Sequence, residues 1–207
     1  MVNGGVRMLF LGPIYRAVAD SRLGDVNHWP LLRLVFYSLD KTILYLLIAL
    51  AVRYLWHFLR HEPMKLGHEI KVALFIAYII LLLALTVFRD VYYPWQLVFH
   101  WHRSLAVINT EPLVQTIKLW YGTTRFDFWY QSVGNVLWFL PFGWGMASLT
   151  KRYGFFRVGI RGLALSLCIE CLQFLLISGV ADIDDVIFNV TGALCGYWLY
   201  RLFHPRR

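Results

Sequence analysis

From Val72 to Phe88 the chain runs VALFIAYIILLLALTVF without a charged residue, and Arg89 and Asp90 close the run. A stretch of this kind approaches the roughly 20 apolar residues that carry a helix across a bilayer. It has no stable place facing water. The rest of the chain points the same way. Hydrophobic residues make up 59% of the 207 and charged residues 15%, against about 45–50% and about 25% in soluble domains. Lipid must therefore be the solvent for much of the surface. The reading is an all-α fold: a polytopic integral membrane helix bundle of about five transmembrane helices.

Four more runs complete that number. The first span covers about Asp40 to Leu59, with Arg53 placed to snorkel toward the nearer surface, and Glu62, Pro63 and Gly67 end it. The third covers about Gln131 to Leu149 and is interrupted by Pro141, a break that neighbouring helices must compensate in lipid. The fourth covers about Val158 to Ile177 and the fifth about Val186 to Phe203. Between the second and third spans, the connection from Asp90 to Tyr130 is rich in Trp, Tyr and His, which favour the headgroup region. A connection this long is expected to hold short interfacial helices. Residues 1–30 form a basic extension with Arg7, Arg16 and Arg22 among short apolar groups. They lie on the interface as an amphipathic segment or form a solvated tail. The stretch MLFLGPIY is short, contains Pro13 and lacks a small-residue cleavage site, so it does not read as a signal peptide. Residues 31–207 form the transmembrane domain.

The formal net charge of +8 sits in short segments between apolar runs and accompanies no nucleic-acid motif. It therefore reads as a determinant of membrane orientation. Lys151, Arg152, Arg157 and Arg161 fall between spans three and four, and Arg201, Arg206 and Arg207 at the C-terminus; between spans four and five there is no Lys or Arg. Basic loops stay inside, so the C-terminus is expected in the cytoplasm and the acidic turn at 178–185 outside. The first loop, with Arg60, Lys65 and Lys71, then falls inside. Five spans place the basic N-terminus outside, against the same rule, unless an N-terminal segment is half inserted. The cysteines, Cys168, Cys171 and Cys195, lie within apolar runs. Thiolates are costly there, so the C-x-x-C spacing of the first two reads as packing.

The stretch ADIDDVIFNVTGALCGYW carries the functional signal. Asp182, Asp184 and Asp185 stand at the entry to span five, and Asp185, Asn189, Gly192 and Gly196 follow at helical spacing on one face. One aspartate there serves as a helix cap; three in four residues exceed that need. Gly192 and Gly196 form G-x-x-x-G, which admits another helix backbone. Packing within the protomer and dimerisation both use that motif, and the first is favoured; Pro141 is counted with these glycines as a packing position. In span four Glu170 and Gln173 share a face. A carboxyl within a span costs a few kcal/mol unless paired or neutral, which marks it as functional. In span three Asn135 lies about one turn below the same surface. With polar faces turned inward, Asn135, Glu170, Gln173, Asp185 and Asn189 should meet in the outer half of the membrane. A neutral Glu170 would donate to Asn189, while Asp184 and Asp185 stay wet and ionised near the headgroups.

These residues also carry a family resemblance. Asn135 with Pro141 and Phe142, the Glu170-x-x-Gln173 step, the D-I-D-D-x-x-x-N-x-x-G run from Asp182 to Gly192, and the T-x-x-R ending at Thr86 to Arg89 together resemble the VanZ-like family, most strongly over residues 72–203. That resemblance implies a multi-pass protein of the bacterial cytoplasmic (inner) membrane, in a family named for a protein associated with teicoplanin resistance. Three functions follow as expectations. The first is a non-enzymatic envelope protein whose polar pocket binds a lipid-linked cell-wall precursor, a glycopeptide or a partner protein. It needs no cofactor and takes membrane lipid, not nucleic acid, as its surroundings. The second is an enzyme acting on a lipid-phosphate through Mg²⁺ held by Asp182, Asp184 and Asp185, though no nucleophile–base pair accompanies them. The third is a transporter with Glu170 as a proton-coupling site, against which the absence of an inverted repeat weighs.

Overall fold

The computed structural model describes residues 8–21, 29–121, 125–150 and 154–205. Arg7, Arg22, Lys151, Arg152, Arg206 and Arg207, all invoked for orientation, lie outside them. The described residues form seven α-helices: α1 (Gly12–Ala19), α2 (Trp29–Arg60), α3 (Leu66–Thr86), α4 (Val114–Trp120), α5 (Arg125–Leu149), α6 (Phe155–Leu176) and α7 (Ile183–Phe203). Of these, α2, α3 and α6 are long and apolar enough to cross a membrane. At 25 and 21 residues, α5 and α7 are of similar length. The chain divides into two compact units, residues 1–96 and 97–207.

The first unit pairs α2 with α3. α2 begins at Trp29, well before Asp40, where sequence reading starts the span. The 32 residues of α2 run about 48 Å at the rise of an α-helix, more than a bilayer's hydrocarbon core. The helix tolerates Asp40 because the carboxylate is saturated with donors. Backbone N–H groups of Leu9, Phe10 and Leu11 donate to it at 2.7–2.8 Å, and the Tyr92 hydroxyl at 2.5 Å. Asp40 thereby ties the segment leading into α1 to the unit. Burial, and then the bond to Asp40, push the Tyr92 phenol above its ordinary range, so it stays protonated and donating. Lys41 is equally enclosed. Its ammonium donates to the carbonyls of Phe88 and Val91, just beyond the end of α3, and lies 4.4 Å from the centre of the Tyr37 ring. A cation there complements the carbonyl end of a helix. Arg53, placed by sequence to snorkel toward the nearer surface, pairs with Glu69 of α3, Nη2 to Oε1 at 2.9 Å.

In the second unit α5 and α7 approach backbone to backbone. A Cβ added at Gly192 would stand 2.2 Å from the carbonyl oxygen of Val136, and one at Gly196 1.9 Å from that of Leu140. From the other side, a Cβ on Gly143 of α5 would meet the Ala193 carbonyl oxygen at 1.8 Å. Only hydrogen fits at these three positions. α6 packs on α7 less closely, its Gly162 facing the Cβ of Ala193. Pro141, expected among the packing residues, is exposed, and α5 continues through it. Side chains with backbone close to backbone need no apolar bulk, so α7 buries Asn189, Gly192, Ala193 and Gly196 where a lone span would carry Leu and Ile.

Candidate functional site

The site forms where α6 ends. The last carbonyls of a helix have no intrahelical partner, and lipid offers none. Here the chain supplies them. Ile177 and Ser178 donate backbone N–H groups to Gln173. The His100 N–H reaches the Leu175 carbonyl at 2.8 Å, and Arg103 Nη1 the Phe174 carbonyl at 2.8 Å, its guanidinium 5.0 Å from the Phe174 ring centre. The aromatic-rich connection is thereby held along α6. It also pairs with the turn: Asn109 donates its N–H to Ala181 at 2.9 Å and accepts one from Ile183 at 3.0 Å. The Asn109 side chain donates to Asp182 Oδ1 at 2.9 Å.

The acids on this frame have separate duties. Asp182 caps α7, accepting the Asp184 N–H at 2.8 Å. Asp184, 1% exposed, caps α4 across the fold. Its oxygens take the Leu113 N–H at 2.5 Å, the Thr116 hydroxyl at 2.5 Å and the Thr116 N–H at 3.4 Å. Leu113 is held at φ 63, a left-handed conformation costly for a side chain with a Cβ. Asp185 accepts from Asn135 Nδ2 at 2.6 Å. The sequence expectation that Asp184 stays wet is therefore overturned: backbone donors at the start of α4 have drawn it inside. Nor do the three aspartates converge. Their carboxylates turn to different elements, and among the described residues no group of three or more His, Cys, Asp or Glu is placed to hold a metal ion.

Glu170 stands apart. It is 7% exposed, and among the described residues it accepts one hydrogen bond, at Oε2 from the Asp182 N–H at 3.0 Å. It does not meet Asn189, whose amide donates to Ser166 Oγ at 2.9 Å one turn earlier on α6. The hydrogen bonds join Asn135 to Asp185, Asn189 to Ser166 and Glu170 to the backbone of the turn. Gln173 is buried on the Glu170 face, against Gly179, where an added Cβ would meet its amide at 3.2 Å. Beside Glu170 opens a cavity of about 420 Å³. Leu167, Cys171, Phe174 and Leu175 of α6 line it together with Leu105 and Ile108, and Asn109, Thr110, Asp182 and Glu170 are its polar residues. The volume lies in the range of small-molecule sites, about 300–1,000 Å³.

Several of these residues were not singled out by sequence reading. Ser166 was legible, four residues before Glu170 on the same helical face. Asn109, Leu113 and Thr116 lie in or after a non-helical stretch with no periodicity, so nothing local ties them to the acidic run. Asp40 and Lys41 read as the polar edge of a span because pairing partners far along the chain leave no mark nearby.

An all-helical bundle with three apolar spans and an acid-lined turn at the end of one of them defines an integral membrane protein. The VanZ/LLP1 family profile matches residues 75–204. Protein VanZ of Enterococcus faecium is 33% identical over 138 residues, 66% of this chain and 77% of that protein. The chain belongs to the VanZ/LLP1 family. No solved structure matches it.

Proposed function

We propose that the protein serves the bacterial cell envelope by binding a membrane-embedded or membrane-surface ligand beside Glu170. It sits in the cytoplasmic (inner) membrane with its C-terminus in the cytoplasm, and the 178–185 turn faces outward. The observation that carries this reading is the contrast between Glu170 and its neighbours. Each aspartate of the turn is engaged in holding an element in place. Glu170 is nearly enclosed, keeps one carboxylate oxygen without a partner among the described residues, and lines a mostly apolar cavity with Asn109, Thr110 and Asp182. A buried acid that structure alone does not need is a functional group by physical expectation. Kinship with Protein VanZ suggests glycopeptide susceptibility as one envelope phenotype to measure.

The test is Glu170→Gln in a strain dependent on the plasmid-borne protein. Gln keeps the shape and can still accept the Asp182 N–H, so membrane abundance should stay within about twofold of wild type, the usual span of a change below ~0.5 kcal/mol. The envelope phenotype, read as glycopeptide susceptibility or detergent sensitivity of the cells, should fall to that of the empty vector. A variant of normal abundance and full phenotype would remove Glu170 from the function.

A further inference from the structure

Resting on the reading just given, we infer that the groove beside Glu170 holds the hydrocarbon chain of an amphiphile whose head donates hydrogen bonds, an amine or an amide, and excludes one headed by phosphate. The groove follows α6 from Leu167 to Leu175, about 12 Å at the helical rise, so a chain can lie lengthwise against it. The walls offer that chain Leu105, Ile108 and Phe174.

The head decides which amphiphile stays. Hydrocarbon already surrounds a protein in a bilayer, so moving a chain from lipid into the groove gains packing but no hydrophobic burial from water. Discrimination must come from the polar end. Glu170, Asp182, Asn109 and Thr110 are the polar residues of the lining, and no Lys, Arg or His is among the residues lining the cavity. An ammonium or amide N–H can donate to the oxygen of Glu170 that the Asp182 N–H leaves open, a charge-assisted bond when that group is ionised. A phosphate would meet two acidic side chains and no cation in the lining itself, since the Arg103 guanidinium is engaged with the Phe174 carbonyl and ring, and repulsion between like charges grows as the surroundings become less polar. The lipid-phosphate enzyme considered from sequence would need the opposite lining.

Full-length protein in phosphatidylcholine nanodiscs can be titrated with dodecylamine, N-dodecylacetamide and dodecyl phosphate, counting bound probe by native mass spectrometry. The amine and the acetamide should each saturate at one copy per chain and bind about tenfold or more tighter than the phosphate, the weight of one charged hydrogen bond. Glu170→Gln should weaken the amine by a similar factor and leave the acetamide within about threefold. Leu167→Trp and Cys171→Trp fill the groove from positions that are themselves exposed, Leu167 at 44%, so the fold should accept them, and each should abolish saturable binding. Thermal unfolding identifies a misfolded variant, in which case the other decides. Phosphate binding as tight as amine binding, or wild-type binding by the folded groove variants, overturns the inference. If binding behaves as expected and the groove variants still confer the full envelope phenotype, the ligand assignment stands and the functional reading above falls instead.

Discussion

Asp184 is 1% exposed and its carboxylate collects three donors from Leu113 and Thr116; Glu170 is 7% exposed and collects one, from Asp182. The difference is what sets Glu170, the proposed functional acid, apart from a structural one. Removing a buried acceptor strands its donors at about 1–3 kcal/mol each. Asp184→Ala should accordingly destabilise the second unit by about 3 kcal/mol or more, the three stranded donors outweighing any relief of the left-handed strain at Leu113. Thermal unfolding in detergent would register a large fall in midpoint, together with exposure of α4 to protease. Glu170→Gln should shift the same midpoint little. Equal losses in the two variants would mean that Glu170 is structural as well. A smaller effect belongs to Ile177, at φ 53 and 53% exposed. Ile177→Gly should stabilise the turn by about 0.5–1 kcal/mol, the relief of left-handed strain less the entropy of glycine.

Among the helices, the contact of α5 with α7 depends on three missing side chains. Gly143, Gly192 and Gly196 each face a carbonyl oxygen from the opposite helix, at distances a Cβ could not share. Gly196→Ala must push the helices apart, and overpacking of this kind costs about 1–3 kcal/mol. Gly134→Ala, where an added Cβ would meet nothing within 4 Å, is the control on α5. Loss of folded protein in the first variant alone, by size-exclusion chromatography in detergent, is the expected result; equal behaviour would place the α7 face against lipid. The helices themselves were largely legible, because an apolar run near 20 residues has few alternatives in a chain this hydrophobic. Their ends were not. α2 extends back to Trp29 because Asp40 and Lys41 find partners at residues 9–11 and 88–92, and hydropathy cannot register a polar group neutralised from a distance. The site was legible in part for the same reason. The helical spacing of Ser166, Glu170 and Gln173 survives in sequence, while the strand-like pairing of Asn109 with the turn leaves no period to read.

Taken whole, the molecule is a VanZ/LLP1-family membrane protein in which charge placement predicts orientation and the α6–α7 turn bears the proposed site. On the proposed orientation, with the C-terminus in the cytoplasm, a reporter fused after Arg207 should be active only inside and one inserted beside Gly179 only outside. Activity of the Gly179 insertion in the cytoplasm would move the site to the inner surface and with it the class of ligand available. Most direct is the structure of the protein solved in native lipid extract. It should show elongated non-protein density along α6 from Leu167 to Leu175, ending within hydrogen-bond distance of Glu170. A groove closed by the protein's own side chains, with Glu170 paired to another residue, would contradict the assignment of this site to a ligand.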